Sequence, residues 1–263
     1  MPRHVNWFLS RMIKALIKKA LGRAGLMIIN TRRHYDTDGL FTVHSDHFRQ
    51  DPVFQAAYQR GIEANNGIDP HFEWRVHVAL WAASSAVAVA GDFVECGVNT
   101  GFMSSAIMHR LHWRDVAKRF YLVDTFAGPV VSQFSSEEIE RGRRKVAESC
   151  IAAGAYLTDL DRVRANFAEW PNAVVVPGTV PDILPTLDIV RVAFLHIDMN
   201  CAYPERAALE YFWDRLSPGA FVLLDDYAYH GYESQRDAMD EFAQSRGFNV
   251  LALPTGQGLI VKG

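Results

Sequence analysis

Residues 91–102, with the sequence GDFVECGVNTGF, read as a buried strand, a glycine turn and the first turn of a helix. The run DFVEC is mostly apolar, which is typical of a central parallel strand. Gly97 and Gly101 bracket a short loop that contains Asn99, and glycine tolerates positive φ angles and the close approach of a ligand. A helix beginning near Gly101 would direct its free N–H groups back towards the loop. The segment therefore predicts a ligand pocket at the carboxyl end of a strand in an open α/β sheet.

The spacing of this turn bears on the ligand. It reads E-x-G-x-x-x-G from Glu95 to Gly101, whereas a dinucleotide-binding turn uses three glycines to bring the backbone onto a pyrophosphate. S-adenosylmethionine (SAM) has no phosphate, and its sulfonium, amino-acid end and ribose suit a carboxylate and a looser turn. The motif favours SAM as the cofactor, and the alternative is an ordinary strand–turn–helix corner.

Composition limits the class of protein. A chain of 263 residues with 49% apolar content can bury one large core, so we expect one domain over residues 41–263 preceded by an extension over residues 1–40. The net charge of −3 argues against a nucleic-acid partner. Three cysteines without paired spacing argue for a reducing, cytoplasmic compartment and against a structural zinc site.

Residues 1–35 are basic, with eight Lys or Arg and no Asp or Glu. A helix here has an apolar face and a basic face, formed by Leu9, Ile13, Leu16, Ile17 and Leu21 and by Arg11, Lys14 and Lys18. One interpretation is weak contact with an anionic membrane, at the inner membrane surface. The other is packing on the domain or on a second subunit, with the basic face in solvent.

The segments around the glycine turn supply further candidates for cofactor binding. A helix over residues 69–90 would carry Arg75 towards the carboxylate of the cofactor, although a surface arginine fits the pattern too. The second strand, residues 119–124, ends at Asp124, where a carboxylate can accept both ribose hydroxyls. Thr125 follows it. Residues 129–170 are long for a connection between a strand and a helix, and they predict a lid with one charged helix over residues 136–150.

The remaining strands complete a doubly wound α/β fold. We expect parallel strands over residues 172–176, 190–198 and 220–224, and an antiparallel hairpin formed by residues 248–253 and 259–262. The predicted sheet is mostly parallel, seven-stranded and Rossmann-like, with the hairpin at the C-terminal end.

Three carboxylates end neighbouring strands of this sheet: Asp198, Asp225 and Asp226. They would repel one another without a basic partner, and a divalent hard cation such as Mg²⁺ removes the repulsion. In the alternative, residues 225–226 only cap the next helix. His230, in the following loop, is placed for proton transfer, although a solvated loop histidine fits equally well.

Six segments together carry a resemblance to a known family: RVHVALWAA (75–83), VECGVNTG (94–101), LVDTFAG (122–128), PGTVPDILP (177–185), LHIDMN (195–200) and LSPGAFVLLDDYAYHGY (216–232). Over about residues 70–260 the chain resembles the macrocin O-methyltransferase (TylF-like) family of class I SAM-dependent enzymes. The resemblance implies O-methylation of a sugar hydroxyl on a natural product or glycan precursor, usually with magnesium, and we expect a homo-oligomer.

The resemblance also assigns residues. It puts four residues at cofactor positions and three at metal positions: Glu95, Gly97, Gly101 and Asp124, and Asp198, Asp225 and Asp226. The chain departs from the pattern at Asn200, where the family often has a second aspartate, and at Cys201, where related enzymes have a lysine base. The general base is therefore unassigned, with Asp198 and His230 as the catalytic candidates.

Two other classes of function were weighed against this one. An NAD-linked sugar-modifying enzyme would need the third glycine of its turn, and the sequence has no Y-x-x-x-K motif. A non-catalytic SAM-fold scaffold at a membrane surface fits the basic N-terminal helix but leaves the acidic positions without a role.

Overall fold

The structure is a computed structural model that describes residues 3–26, 34–156 and 159–263, with only the backbone for residues 3–12. It divides into two compact units, with the boundary between Asp46 and His47. The first unit contains helix α1 (Arg3–Arg23) and an antiparallel pair of short strands, β1 (Tyr35–Thr37) and β2 (Leu40–Thr42). Across the described residues, no helix is long and apolar enough to cross a membrane.

The second unit is an α/β sandwich. Its strands are β3 (Asp92–Cys96), β4 (Phe120–Asp124), β5 (Ala173–Pro177), β6 (Val192–Ile197), β7 (Leu216–Leu224), β8 (Leu251–Ala252) and β9 (Gly258–Val261). Its helices are α2 (Pro52–Ala64), α3 (Glu73–Ala86), α4 (Phe102–Arg110), α5 (Ser136–Glu140), α6 (Arg143–Ala152), α7 (Leu160–Phe167), α8 (Ala202–Trp213) and α9 (Glu233–Arg246).

The seven strands of the second unit form one sheet in the order β5-β4-β3-β6-β7-β9-β8. The first five in this order are parallel, and β9 and β8 add as antiparallel strands. This confirms the predicted mostly parallel sheet with a C-terminal hairpin. The chain winds outward from β3 to β5, then returns to β6 on the other side of β3, which creates a crevice at the carboxyl ends of β3 and β6.

Helices cover both faces of the sheet, so the central strands are buried on both sides. Phe93 and Phe194 face α2, α3 and α4, whereas their neighbours Val94 and Leu195 face α8 and α9. Burial on two faces explains why these strands read as continuous apolar runs rather than as alternating patterns.

Helix α3 begins later than the sequence suggested, because the predicted cap has other partners. Asp69 accepts hydrogen bonds from the hydroxyl of Tyr58 (2.6 Å) and the N–H of His71 (2.8 Å). His71 has a φ of 55°, which a helix cannot contain. The helix therefore starts at Glu73 and ends at Ala86.

The single charged helix predicted over residues 136–150 is wrong. Gly142, with a φ of 82°, separates α5 from α6. Ser135 and Glu138 form a capping box at the start of α5. The second oxygen of Glu138 accepts a hydrogen bond from the N–H of Ala202 (2.9 Å), which fixes this insertion to the first turn of α8.

Candidate active site

An open cleft of about 740 Å³, including the space at its mouth, lies at the carboxyl edge of the sheet. Residues that follow four adjacent strands line it: Gly178 after β5, Asp124 at the end of β4, Gly97 after β3 and Asp198 after β6. The insertion supplies another wall through Gln133 and Tyr156.

The two glycines of the turn after β3 are required by close contacts. Gly97 has a φ of 93°, and a Cβ atom there would lie 1.7 Å from the carbonyl oxygen of Asp198. Gly101 has a φ of 87°, and a Cβ atom would lie 2.4 Å from the ring of Phe167. A larger residue at Gly97 would therefore push apart the ends of β3 and β6 at the crevice.

Asp124 fixes the same turn through its carboxylate. Its Oδ2 accepts hydrogen bonds from the N–H groups of Val98 (2.6 Å) and Asn99 (2.8 Å), and its Oδ1 accepts one from Phe126 (2.7 Å). Each carboxylate oxygen has two acceptor sites, so Oδ2 is filled and Oδ1 can accept one hydrogen bond from a ligand. The nearby hydroxyl of Thr125 donates to the carbonyl oxygen of Gly128 instead (2.8 Å). Asp124 is thus a structural residue of the loop as well as a wall of the cleft.

The cofactor residues predicted from the sequence divide into two groups. The first lines the cleft and consists of Gly97, Asn99, Asp124 and Thr125, with Asp198 beside them. Glu95, Gly101 and Arg75 are not among the described residues that line it.

Glu95 is buried beneath the cleft, with 2% of its surface exposed. One of its oxygens lies 2.8 Å from Nδ1 of His196, and the other accepts a hydrogen bond from the hydroxyl of Ser104. On the far side of the imidazole, Nε2 lies 3.6 Å from Oδ1 of Asp225. Both oxygens of Glu95 therefore contact protein groups, and its cofactor role stays a prediction.

Two carboxylates flank His196, so its charge differs from that of an ordinary core histidine. Burial alone would lower the pKa of His196, but the hydrogen bonds and charges of Asp225 and Glu95 raise it to about 10. The imidazolium is therefore the stable form at neutral pH, and it neutralises part of the buried negative charge.

Arg75 is held by Asp225, not by the cleft. Its guanidinium forms an ion pair with Asp225 and lies 5.1 Å from the ring centroid of Tyr229. Gln257 donates a further hydrogen bond to Asp225 (2.9 Å). Burial opposes ionisation of Asp225, yet Arg75 and His196 hold its pKa well below the usual range. The expectation of aspartates without a basic partner is therefore wrong for Asp225. The cofactor role of Arg75 stays a prediction, and the described ion pair of this side chain is with Asp225.

The other two aspartates have fewer protein partners than Asp225. Oδ2 of Asp226 is buried without a hydrogen-bond partner, and burial followed by the charge of Asp225 raises the pKa of Asp226 to about 7. Burial, Asp225 and Asp226 likewise raise the pKa of Asp198. Glu205, which the sequence did not single out, is buried beside them, and burial and the charges of Asp226 and Asp198 raise its pKa. Such a cluster favours uptake of a proton or a cation.

The three predicted metal ligands, Asp198, Asp225 and Asp226, differ in how many protein groups they contact. In the parts of the chain that the structure describes, no group of three or more His, Cys, Asp and Glu side chains is arranged to hold a metal ion. Asp225 is satisfied by protein donors, whereas Asp198 and Asp226 retain oxygen atoms that a hard cation could use.

The loop after β7 contributes tyrosines, not its histidine. His230 is exposed. Tyr232 donates a hydrogen bond to Oδ1 of Asn200 (2.9 Å), and Asn200 donates to Asp198 (3.2 Å). The guanidinium of Arg143, from the insertion, lies 3.7 Å from the ring centroid of Tyr232, and its buried Nε has no hydrogen-bond partner.

Sequence reasoning missed several residues of the site: Arg143, Tyr156, Glu205, Tyr232 and Gln257. Tyr232 lies in the last of the six family-like segments, so its position carried a signal. Arg143 and Tyr156 belong to the insertion, where no spacing marks them. Gln257 lies in the short link between β8 and β9, which reads as an ordinary turn.

Comparison with solved structures defines the class. The O-methyltransferase NovP superposes with a TM-score of 0.59 at 22% identity, covering 72% of this chain and 79% of NovP. The calicheamicin methyltransferase CalS11 superposes with a TM-score of 0.56 at 15% identity, covering 90% and 98% of the two chains. The fold is that of the class I SAM-dependent methyltransferases.

The family is narrower than this class. The family model described as Macrocin-O-methyltransferase (TylF) matches residues 78–251, about two thirds of the sequence, and the chain belongs to this family. A tetracenomycin rhamnosyl 4'-O-methyltransferase of Streptomyces olivaceus is 32% identical over 171 residues, which are 62% of each protein. A demethyldecarbamoylnovobiocin O-methyltransferase of Streptomyces niveus is 30% identical over 164 residues, 59% of this chain and 58% of that enzyme. The chain thus spans about three fifths of the length of these two relatives.

Proposed function

We propose that this protein transfers a methyl group from SAM to a hydroxyl of a sugar in a natural product or glycan precursor. The observation that carries the proposal is the cleft at the carboxyl ends of β5, β4, β3 and β6, with a glycine turn and a carboxylate at its centre. Membership of the family and the names of the two Streptomyces relatives support a sugar hydroxyl as the acceptor.

The order of the strands gives an order for the parts of the cofactor. In this proposal Gly178 and Thr179, after β5, border the adenine, and Asp124, at the end of β4, accepts a hydrogen bond from a ribose hydroxyl through Oδ1. Gly97 and Asn99, after β3, line the part of the cleft that we assign to the methionine part of the cofactor. Asp198, after β6, lines the same cleft on the side of the acidic cluster, and it would lie on the acceptor side of bound cofactor.

Bound SAM supplies an electrophilic methyl group on a sulfonium. In the reaction the acceptor oxygen forms a bond to the methyl carbon as the carbon–sulfur bond breaks, and the electron pair of that bond stays on sulfur. The hydroxyl proton leaves to a base, and the products are a methyl ether and S-adenosylhomocysteine. Holding oxygen, carbon and sulfur in line can supply about 7–11 kcal/mol of the barrier.

Asp198 is the group we assign to receive the proton. It lines the cleft beside the place assigned to the acceptor, and a carboxylate there can accept the hydroxyl proton. His230 was the other candidate, but its exposed position in the loop after β7 favours Asp198.

The acceptor sugar occupies the end of the cleft between β6 and the insertion. Tyr156 supplies an apolar ring there, and Asn200 is held by Tyr232.

Magnesium is part of the proposal, held by Asp198 and Asp226. When bound, Mg²⁺ lowers the pKa of a coordinated hydroxyl and orients it. Two carboxylates are enough because Mg²⁺ keeps several water ligands. Asp225 contributes indirectly: Arg75, His196 and Gln257 fix it between the cluster and the core.

The test combines binding with turnover. We expect SAM to bind with a Kd in the micromolar range, about −8 kcal/mol, with no binding of NAD in the same titration. Labelled methyl from SAM should appear on one member of a panel of nucleotide sugars, glycosides and glycolipids. Asp198→Asn should bind SAM normally but lower turnover about 100-fold or more, because it removes the base. EDTA should stop turnover of the unchanged enzyme without changing SAM affinity, and Mg²⁺ should restore it.

Two variants serve as controls. Asp188→Asn removes the same charge from an exposed position far from the acidic cluster and should be fully active. His230→Gln should also be active. Loss of activity in this variant would identify His230, in place of Asp198, as the group that receives the proton. SAM binding without turnover on any acceptor would favour a scaffold, and NAD binding would favour the sugar-modifying alternative. Full activity in EDTA would contradict the role proposed for magnesium, but it would not contradict methyl transfer from SAM.

A further inference from the structure

The charges of this chain are divided unevenly along its length. Residues 1–35 hold eight of the 27 Lys and Arg residues and no acidic residue, so the remaining 19 are outnumbered by the 30 Asp and Glu that follow. The acidic part of the chain is repelled by a negatively charged surface, whereas the first 35 residues are attracted to it.

The described side chains of helix α1 are open to solvent. All those over residues 13–26 are exposed except Leu21, which is half-buried. Large apolar side chains are among the exposed ones: Ile13 at 50%, Leu16 at 63% and Ile17 at 46%. These exposed side chains form a contiguous apolar strip on the helix.

The helix geometry arranges these residues in bands. Each residue is rotated by about 100° from the one before it. The resulting apolar stripe has a row of cations along each edge: the stripe is Ile13, Leu16, Ile17 and Leu21, one row is Lys14 and Lys18, and the other is Lys19 and Arg23. Among residues 13–23, Ala15 and Gly22 are the two that lie opposite the stripe.

We propose that α1 lies in the surface of an anionic lipid bilayer, with the apolar stripe among the acyl chains and the two rows of cations at the headgroups. Long Lys and Arg side chains bury their stems beside an apolar stripe and keep their charges at the interface. The flanking rows on both edges match this geometry, because each row then reaches the plane of the lipid phosphates.

A second copy of the same helix fits the stripe less well. Pairing two copies in either direction would bring the lysine rows of one helix close to those of the other. Residues 1–35 contain no Asp or Glu that could neutralise them, and like charges along a helix–helix seam are destabilising. An anionic bilayer supplies the missing counter-charge on both edges.

The strength of this attachment should depend strongly on charge. Each basic residue near an anionic membrane strengthens binding about fivefold. Lys14→Gln, Lys18→Gln and Lys19→Gln combined should therefore weaken binding about 100-fold.

The experiment is sedimentation of the full chain with vesicles of phosphatidylcholine alone or with 30 mole per cent phosphatidylglycerol. We expect binding to the anionic vesicles only, and release by raising NaCl from 50 to 500 mM, since salt screens the attraction. Leu16→Glu should weaken binding at least tenfold more than Ala15→Glu, which makes the same charge change on the opposite side of the helix. SAM affinity should be unchanged in both variants.

Three results would overturn the proposal. Equal binding to neutral and anionic vesicles would remove the role of the cationic rows. Equal losses in Leu16→Glu and Ala15→Glu would show that only total charge matters and that the stripe is not inserted. A dimer that Leu16→Glu converts to a monomer, with no vesicle binding in either form, would assign the stripe to a second copy. None of these results depends on whether the cleft transfers a methyl group.

Discussion

Asp124 holds the turn after β3 in shape and is also the residue proposed to bind the ribose, whereas the sequence indicated only the second role. Its carboxylate accepts three backbone N–H bonds, from Val98, Asn99 and Phe126, and so shapes the turn that forms the cofactor pocket. Because the same group is proposed to bind the ribose, its removal affects both the loop and the ligand. A single alanine variant therefore cannot measure the ribose contact without a control for the loop.

We predict that Asp124→Ala weakens SAM binding by about 2–3 kcal/mol through loss of charge-assisted hydrogen bonds, and that it also lowers the Tm. The control is Asp92→Ala, at the opposite end of β3. There a carboxylate accepts one backbone bond, from Arg119 (2.8 Å). Calorimetric titration measures the SAM affinity of both variants, and thermal unfolding measures their Tm. If Asp124→Ala lowers the Tm but leaves the SAM affinity at the wild-type value, the ribose assignment fails.

The acidic cluster shows what a sequence reveals at the scale of residues. Asp198, Asp225 and Asp226 could be placed together because they end neighbouring parallel strands, and that placement needs only the strand order. The partners of Asp225 could not be found in this way. Arg75 lies 150 positions before it and Gln257 lies 32 after it, and both contacts depend on how a helix and a turn approach the sheet.

At the scale of elements, the strands were predictable to within a few residues and the insertion was not. A strand buried on two faces is mostly apolar, so its approximate ends are visible in the sequence even where a buried Glu95 or His196 interrupts the run. The charged segment before residue 152 has no such marker. Gly142 can continue a helix at a modest cost or end it with a positive φ, and the choice is made by the contact of Glu138 with α8.

Helix α3 contains a histidine whose burial makes stability depend on pH. The ring of His77 stacks on Phe48, with centroids 4.0 Å apart, and burial, followed by the nearby His47, lowers the pKa of His77. The unfolded chain therefore takes up this proton at a higher pH than the folded protein. As the pH drops through the ordinary histidine pKa of about 6.5, the unfolded chain binds this proton before the folded protein does. The free energy of unfolding therefore falls as the pH drops below that value.

We predict that His77→Phe keeps the stacked ring and reduces the loss of unfolding free energy between pH 7.5 and pH 5. Urea unfolding at several pH values measures it. His109→Phe, at an exposed position near the end of α4, is the matched control and should follow the wild-type pH dependence. A wild-type slope in His77→Phe as well would show that other groups dominate the acid sensitivity.

At the scale of the whole molecule, the residues of the cleft and the basic residues of helix α1 belong to different units of the chain. Every residue assigned to the cleft lies in the unit that begins at His47. The basic helix lies in the other unit, and neither the order of the sheet nor the cleft requires it. Composition alone hid this division, because the two charge excesses nearly cancel in a net charge of −3.

We predict that a chain of residues 47–263 binds SAM with the affinity of the full chain and keeps its Tm within a few degrees, but no longer sediments with anionic vesicles. Titration, thermal unfolding and sedimentation on both chains measure these quantities. A truncated chain that folds but has lost SAM affinity would show that residues 1–46 contribute to the pocket.

The C-terminal hairpin has a consequence for amide hydrogen exchange. Strand β8 precedes β9 in the chain but reaches the sheet only through it, because β9 lies between β7 and β8. Any local opening that detaches β9 from β7 must therefore free β8 as well. The same opening reaches the catalytic edge, since Gln257 directly precedes β9 and donates to Asp225. Deuterium should thus enter Leu251 and Ala252 at least as fast as Leu259, and bound ligand that steadies Asp225 should slow exchange at this distant edge of the sheet.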